Sequence, residues 1–406
     1  MLLAHNLCFV DRCSFERGIA CAKLYFTWEC RGMKNTFSDF INKNCIVGVE
    51  GYDILLYGQA DYATRMESYI EELFPDWSLK KVILPLDTDQ PDKTVFDFQL
   101  AEEKLTACDK SMPVVVAFSA KYRDEVLAQL DSMGFAKVIY YDSQLDNLLK
   151  TEFFRQYFRN MGKTFLLLKE MSPEHDVLPC SLAIYKAVCA SDKPLSEPPK
   201  PSRFVMPIQV GAALTDKRIA VVTDNEGDNI SDRNRRYSEM TAFYWMWKHA
   251  KADYLGLCHY RRLFVNPEGI ADKLQRVDID ALLPLPTLCE HSVHEDYLLK
   301  HIPDVWELLL EVIWEQSPEY SEDVQKVFRG RVFYASNMCI LRREVLDDLC
   351  SWMFPIVMEV ERRVGDLPNR YYNRYAGFCT ERLITLYFIC NKSHWRIAHV
   401  EKVFLR

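Results

Sequence analysis

An α/β protein of two domains is what this sequence predicts, and three observations carry the prediction. Apolar runs of strand length alternate with helix-length amphipathic stretches from Asp53 onward, the pattern of a sheet with helices on its faces. The 406 residues are 49% hydrophobic and 27% charged, which gives a folded chain enough core for two domains. In the second half, the apolar run Asp253-Tyr-Leu-Gly-Leu-Cys258 gives way to His259-Tyr-Arg-Arg262. Ligands of open α/β sheets bind at that edge, the carboxyl ends of the strands.

Residues 1–45 mix aromatics, cysteines and charges without a sustained period and receive no assignment. The first domain is expected over residues 46–165. Asp53-Ile-Leu-Leu-Tyr57 reads as a strand, Gly58-Gln-Ala-Asp-Tyr62 as the turn after it, and the stretch to Leu73 as a helix. Further strands fit Lys81–Pro85, Pro113–Phe118 and Lys137–Tyr141, and further helices Tyr122–Met133 and Leu145–Asn160. This is a small Rossmann-like order. Gly58 stands where a dinucleotide fold places its first glycine, but the other two glycines of Gly-x-Gly-x-x-Gly are missing. A packing or assembly domain is therefore expected in preference to a working cofactor site, and an oxidoreductase or epimerase reading is disfavoured.

The boundary is expected near residues 160 to 180, with the second domain running over 175–406. Ser181–Cys189 reads as its first strand, so the Pro-rich Lys193–Pro201 is a loop inside it. Ser231 opens a helix in which Tyr237, Met240, Thr241, Tyr244 and Trp247 recur at helical spacing. Asp253–Cys258 is a buried strand, Tyr334–Leu341 another, and Glu381–Phe388 a helix entered from a loop at Gly377-Phe378. Trp352, Phe354, Val357 and Met358 mark a core helix.

Bulk numbers exclude several classes. The net charge of -8 and pI of about 5.7 offer no global field for a nucleic-acid backbone. The 14 cysteines, among them Cys8, Cys45, Cys108, Cys258 and Cys339, show neither Cys-x-x-Cys pairs nor metal spacing and read as reduced thiols. The start of the chain lacks a signal-peptide apolar region, and no run reaches the roughly 20 apolar residues of a membrane span. A cytoplasmic protein is expected, working in solution or at the inner face of the membrane.

Polar side chains gather beside apolar ones between Pro207 and Arg262. Adjacent Arg261 and Arg262 after a buried strand call for solvent, carboxylate or phosphate, and guanidinium matches phosphate oxygens two at a time. A surface arginine pair with a core histidine is the bland alternative. Asn234 and Glu239 are candidates to point from the helix toward a ligand.

The runs Pro207-Ile-Gln-Val-Gly-Ala212, Asp228-Asn-Ile-Ser-x-x-Asn234-x-x-Tyr-x-Glu-x-Thr241 and His259-Tyr-Arg-Arg262, with His294-x-x-Tyr297, His301, Ser336-Asn-Met338 and Gly377-Phe-x-x-Glu-Arg-Leu383, resemble the domain found in bacterial capsular-polysaccharide and O-antigen glycosyltransferases. The resemblance spans about residues 180–406. It implies a GT-A-like nucleotide-sugar-binding domain that transfers a hexose of galactose type, galactofuranose included, from a UDP-linked donor to a surface polysaccharide or lipid-linked oligosaccharide. The implied partners are that donor, the glycan acceptor, the membrane face and other polysaccharide-assembly enzymes. The family's Thr/Ser-His-Lys at the end of its first strand is Ser191-Asp-Lys193 here, so Lys193 keeps a basic group while Asp192 makes the local field less positive. The alternative is a non-catalytic carbohydrate-binding or assembly protein with a vestigial nucleotide pocket.

Transfer needs a cradle for the diphosphate, a base for the acceptor hydroxyl if configuration inverts, and a sugar pocket. No Asp-x-Asp occupies the position where many GT-A enzymes hold manganese or magnesium, so Arg261 and Arg262, helped by Lys193, are expected to replace the metal. Glu381, placed in a first helical turn, is the expected base, with capping or pairing to Arg382 the bland reading; Asp228 and Glu239 stand in reserve. Substrate contacts are expected from Gln209, Asn229, Asn234, Tyr237, His259, Tyr260, His294, Asn337 and Gly377. The group His291, His294, His301, Glu290, Glu295 and Asp296 does not match a zinc helix and is expected as acceptor-side loop. Tyr371, Tyr372, Tyr375 and Phe378 are candidates to stack on sugar rings or to pack.

Overall fold

A computed structural model describes residues 53–75, 77–84, 98–118, 120–195 and 198–405. The unassigned segment 1–45 lies outside them. The chain divides into two compact units, Met1–Lys163 and Thr164–Arg406.

In the first unit the strands β1 (Asp53–Gln59), β2 (Ser78–Leu84), β3 (Val114–Ala117) and β4 (Val138–Tyr140) form an all-parallel sheet in the order β2-β1-β3-β4. Helices α1 (Ala60–Leu73), α2 (Phe98–Thr106), α3 (Arg123–Ser132) and α4 (Ser143–Asn160) alternate with the strands. The apolar alternation has its cause in one core: Leu55, Tyr57, Val114 and Val116 point at Leu105, Val126 and Leu130. Gly58 lies within β1, where a Cβ would stand 2.7 Å from the Ala117 carbonyl oxygen. Its missing side chain thus serves the close approach of β1 to β3.

The second unit holds an eight-stranded mixed sheet. Its strands are β5 (Leu166–Leu167), β6 (Leu182–Val188), β7 (Val205–Gln209), β8 (Val222–Thr223), β9 (Tyr254–His259), β11 (Ala281–Pro284), β14 (Cys339–Arg342) and β15 (Ile397–Val400). Their order is β5-β15-β11-β14-β9-β6-β7-β8, and β14 runs antiparallel to both its neighbours while the other ladders are parallel. Short ladders join β10 (Arg262–Phe264) to β16 (Lys402–Phe404) and β12 (Thr287–Leu288) to β13 (Val332–Phe333).

The helices of this unit are α5 (Asn234–Tyr237), α6 (Met240–His249), α7 (Pro267–Leu274), α8 (Val293–Lys300), α9 (Pro303–Gln316), α10 (Ser321–Arg329), α11 (Arg343–Val364) and α12 (Tyr375–Cys390). Ile184, Leu282, Ile340 and Ala398 of the sheet pack with Ile270 and Leu274 of α7 in one core. The described cysteines are free thiols. No helix among the described residues is long and apolar enough to cross a membrane.

Three elements differ from expectation. The helix opened by Ser231 is cut at Ser238, whose φ of 52° is one that side chains with a Cβ rarely adopt. The expected strand Tyr334–Leu341 is regular only from Cys339, because Ser336 and Asn337 have φ of 81° and 49°. The last helix starts at Tyr375, six residues earlier than Glu381.

Candidate functional site

Register brings the ends of three parallel strands level. Ala187 of β6 stands opposite His259 of β9, and Val188 opposite Gln209 of β7. Beyond these ends opens a cleft of about 900 Å³. Its walls are Ala187, Cys189, Ser191 and Asp192 after β6, Val210 after β7, Asn234, Arg235, Ser238 and Glu239 around α5, His259, Tyr260 and Arg262 after β9, and Leu367, Pro368, Arg370, Asn373 and Arg374 between α11 and α12.

Four guanidinium groups face this space, those of Arg235, Arg262, Arg370 and Arg374. None has a carboxylate at ion-pair distance among the described residues, in contrast to the neighbouring Arg233 and Arg236, which pair with Glu361 at 3.1 and 2.9 Å. Arg374 is aimed by a 2.9 Å bond from its Nε to Ser238 Oγ and lies over the Phe378 ring, while Arg262 lies over Phe404. Arg374 and Arg262 are thus held by a hydroxyl and by ring faces, so that neither charge is spent on a carboxylate of the described residues. The twin-arginine expectation divides here. Arg262 lines the cleft; Arg261 does not, lying over the Tyr260 ring with a buried Nε that has no hydrogen-bond partner. Beside them, burial raises the Asp192 carboxyl, against the bond from the Cys189 N–H and the charge of Arg261.

The carboxylates sort by the strained turn Ser336-Asn337. Asn337 is buried, and its Nδ2 donates to Glu239 Oε1 at 2.8 Å and to the Gly377 carbonyl at 3.2 Å. Two acceptors on one amide nitrogen fix which way the amide points. The Ser336 carbonyl meets His259 Nε2 at 2.6 Å, and since a carbonyl only accepts, that nitrogen carries the hydrogen. The Ser336 N–H donates to Glu381 Oε1 at 2.6 Å, while Arg382 Nη1 donates to Glu381 Oε2 at 2.9 Å. Glu381, the expected base, lies in the second turn of α12, has both oxygens engaged, and is absent from the cleft wall. Burial raises its carboxyl, with Arg382 and the Ser336 N–H opposing. Glu239, held in reserve by the sequence, is the glutamate that lines the cleft.

Of the other expected contacts, Asn234 and Tyr260 line the cleft with Glu239 and His259, and Asn337 and Gly377 stand one layer behind. The rest lie off the cleft wall. Gln209 is fully buried, its amide spent on the Lys217 carbonyl and the Ile219 N–H to brace the following loop. Tyr237 is fully buried and donates to Glu361 at 2.8 Å. Asp228 accepts from Tyr244, midway along α6, and Asn229 closes a local turn with Gly227 and Ser231. Lys193 is exposed and outside the cleft wall. Ser292 and Glu295 form a capping box that makes 293–300 a helix, and on it His294 packs against Trp306 rather than forming an acceptor loop. Among the described residues no three His, Cys, Asp or Glu side chains come together as a metal site. Tyr375 and Phe378 pack inside, on the Gly365 carbonyl and the His301 ring, whereas Tyr371 and Tyr372 stay exposed beside Arg370.

Two structural residues were missed. Asp224 is fully buried and accepts from the Gly211 and Ala212 N–H groups at 2.8 and 3.0 Å and from Ser231 Oγ. It ties the loop after β7 to the segment leading into α5. At Gly211 the φ is +64° and a Cβ would stand 2.8 Å from Asn234 Oδ1. Gly211→Ala is expected to cost about 1–2 kcal/mol from the left-handed backbone alone and to displace the Asn234 side chain. Urea unfolding would show it, and unchanged stability would mean that the loop relaxes freely.

The family model described as "Domain of unknown function (DUF4422)" matches residues 188–392. No curated protein matches the chain. Among solved structures, the apo form of the bifunctional glycosyltransferase WbbM is similar at 23% identity and a TM-score of 0.46, over 55% of this chain and 45% of that one. The chain thus spans less than half the length of that structure. The family match takes in half of the chain and every cleft-lining residue except Ala187, and the protein therefore belongs to the DUF4422 family.

Proposed function

We propose that the protein is a glycosyltransferase whose cleft holds the diphosphate of a nucleotide sugar. The observation that carries the reading is the set of Arg235, Arg262, Arg370 and Arg374 around about 900 Å³ of space at the carboxyl ends of β6, β7 and β9. A diphosphate leaving group gains negative charge as the bond to the sugar breaks, and fixed cations aimed at that place stabilise the transition state more than the ground state. The parallel β9-β6-β7-β8 half of the sheet supports a GT-A-like arrangement, with the ligand beyond its carboxyl edge.

The rest of the reading follows the sequence resemblance. The donor is a UDP-linked hexose of galactose type, and the acceptor a growing surface polysaccharide or lipid-linked glycan at the cytoplasmic face of the membrane. Exposed Tyr371 and Tyr372 beside Arg370 suit the acceptor side, where sugar rings stack on aromatic faces. Residues 46–165 act as a Rossmann-like accessory domain, and 175–406 carry the transfer.

Titration with UDP tests the reading. Arg262→Ala and Arg374→Ala should each weaken UDP binding about 10- to 100-fold, as expected for one charged hydrogen bond of about 1.5–3 kcal/mol. Slow release of UDP from a UDP-hexose without acceptor, undiminished by chelator, is the expected activity. Strict rescue by manganese or magnesium would overturn the role given to the arginines, and binding without release would leave a vestigial pocket.

A further inference from the structure

We propose that Glu239 is the general base of the transfer and that Asn337 is the residue that positions it; the proposal rests on the reading of the cleft as a nucleotide-sugar site. Glu239 Oε1 is held by Asn337 Nδ2, and Oε2 has no hydrogen-bond partner among the described residues. The side chain is 13% exposed and lines the cleft. One oxygen is therefore anchored and the other left without a protein partner on a residue of the cleft wall, the disposition that proton abstraction requires. Every other glutamate at this turn is excluded by its contacts: both oxygens of Glu381 are taken, by Ser336 and Arg382.

The anchoring is kept at a cost. Asn337 spends its Nδ2 on the Glu239 carboxylate and the Gly377 carbonyl, and its Oδ1 is buried without a partner. Ser336 and Asn337 both have left-handed φ, 81° and 49°, an unfavourable state for residues with a Cβ. In return that turn sends the Ser336 carbonyl to His259, the Ser336 N–H to Glu381 and the Asn337 amide to Glu239. His259 Nε2 stands 3.8 Å from Glu239 Oε1, so the same turn that holds the imidazole also holds the carboxylate beside it.

The step balances as a single displacement. The acceptor O–H bond breaks, its proton passes to Glu239 Oε2, and the oxygen lone pair forms the bond to the anomeric carbon. The bond from that carbon to the diphosphate breaks, and its electron pair leaves on the nucleoside diphosphate, whose added charge meets the four arginines. Configuration at the anomeric carbon inverts.

The test measures UDP release from a panel of UDP-hexoses with water as acceptor, together with UDP binding. Glu239→Gln keeps an oxygen for the Asn337 amide, so folding and UDP affinity should hold while turnover falls about 100- to 10,000-fold and the acid limb of the pH profile disappears. Asn337→Ala should lower kcat while UDP affinity holds, and combining it with Glu239→Gln should cost little beyond Glu239→Gln alone, because the two act on one group; a merely structural loss would weaken UDP binding and add to the other. The sugar released should be inverted, as seen by proton NMR. Turnover of Glu239→Gln at the wild-type rate, retention of configuration, or an acid limb lost in His259→Ala but kept in Glu239→Gln would each overturn the proposal while leaving the nucleotide-sugar reading in place. A wild-type protein that turns over no UDP-hexose would remove that reading and the proposal with it.

Discussion

Glu361→Ala is expected to destabilise the protein by about 2–4 kcal/mol and to weaken UDP binding at the same time. Glu361 sits on α11, 7% exposed, and accepts from Tyr237 Oη at 2.8 Å, from Arg233 at 3.1 Å and from Arg236 at 2.9 Å. Removing one partner of a buried ion pair leaves the others charged in a poor solvent, at a typical cost of about 3–5 kcal/mol. Access of Arg233 to water, and the second partner Asp366 at 3.3 Å from Arg236, lower the figure to about 2–4 kcal/mol. The functional effect follows from the same contacts. Arg233, Arg236 and Tyr237 bracket Asn234 and Arg235, which line the cleft. Once that anchor is gone, the segment keeps its ties through Ser231 and Asn234 but loses the one that joins it to α11. Tyr237→Phe removes one hydrogen bond and should cost about 1 kcal/mol. Urea unfolding gives both values; a Glu361→Ala no weaker than Tyr237→Phe would mean that the arginines repartner at no cost.

The cleft was legible in the sequence where its parts are local. The buried run ending in His259-Tyr-Arg-Arg262 announces a strand with polar groups at its carboxyl end, and β9 fills that place. Arg370 and Arg374 carried no such sign. They come from the connection between α11 and α12, more than 100 residues after β9, and only the tertiary fold brings them opposite Arg262. Polar residues near the site divide by burial, which sequence does not display. Gln209 and Tyr237 looked like ligand contacts, yet a buried amide and a buried phenol are satisfied within the protein. Glu239 and Glu381 show the same limit. Sequence places each near an apolar helix face, but which one faces the cleft depends on the left-handed turn at Ser336 and Asn337, a backbone state that residues of these types do not declare. The antiparallel course of β14 was equally hidden, since strand direction is set by connections and not by composition.

Acid is expected to weaken the second unit as soon as the pH falls below about 6.5. Two histidines there are held neutral. Burial pulls His399 down to about 3, against the Leu166 carbonyl; burial, then the charges of Arg382, Lys300 and Arg374, do the same to His301. His399 is satisfied as a neutral ring. Nδ1 meets the Leu166 carbonyl at 3.1 Å and so carries the hydrogen, which leaves Nε2 to accept from Tyr334 Oη at 2.8 Å. His301 lies flat on Phe378 at 3.9 Å between centroids. Both folded values lie below the ordinary 6.5. Between pH 6.5 and about 3 the unfolded chain therefore binds more protons than the folded one. Stability is full above 6.5 and falls as the pH drops through that window, by up to about 1.4 kcal/mol per pH unit for each ring. From pH 6 to pH 5 the pair should remove about 2 kcal/mol. Glu381 has the opposite sign: its raised carboxyl lets the folded state take up a proton first, which offsets part of the loss at the lower end. Urea midpoints at pH 7, 6 and 5 can be followed by tryptophan fluorescence, since Trp245, Trp247, Trp306, Trp314, Trp352 and Trp395 all lie in this unit. His399→Gln should flatten the slope by about one proton. A midpoint unchanged between pH 7 and 5 would mean that these rings reach water in the native state, and the packing of His301 on Phe378 and of His399 under Tyr334 would then be looser than these contacts require.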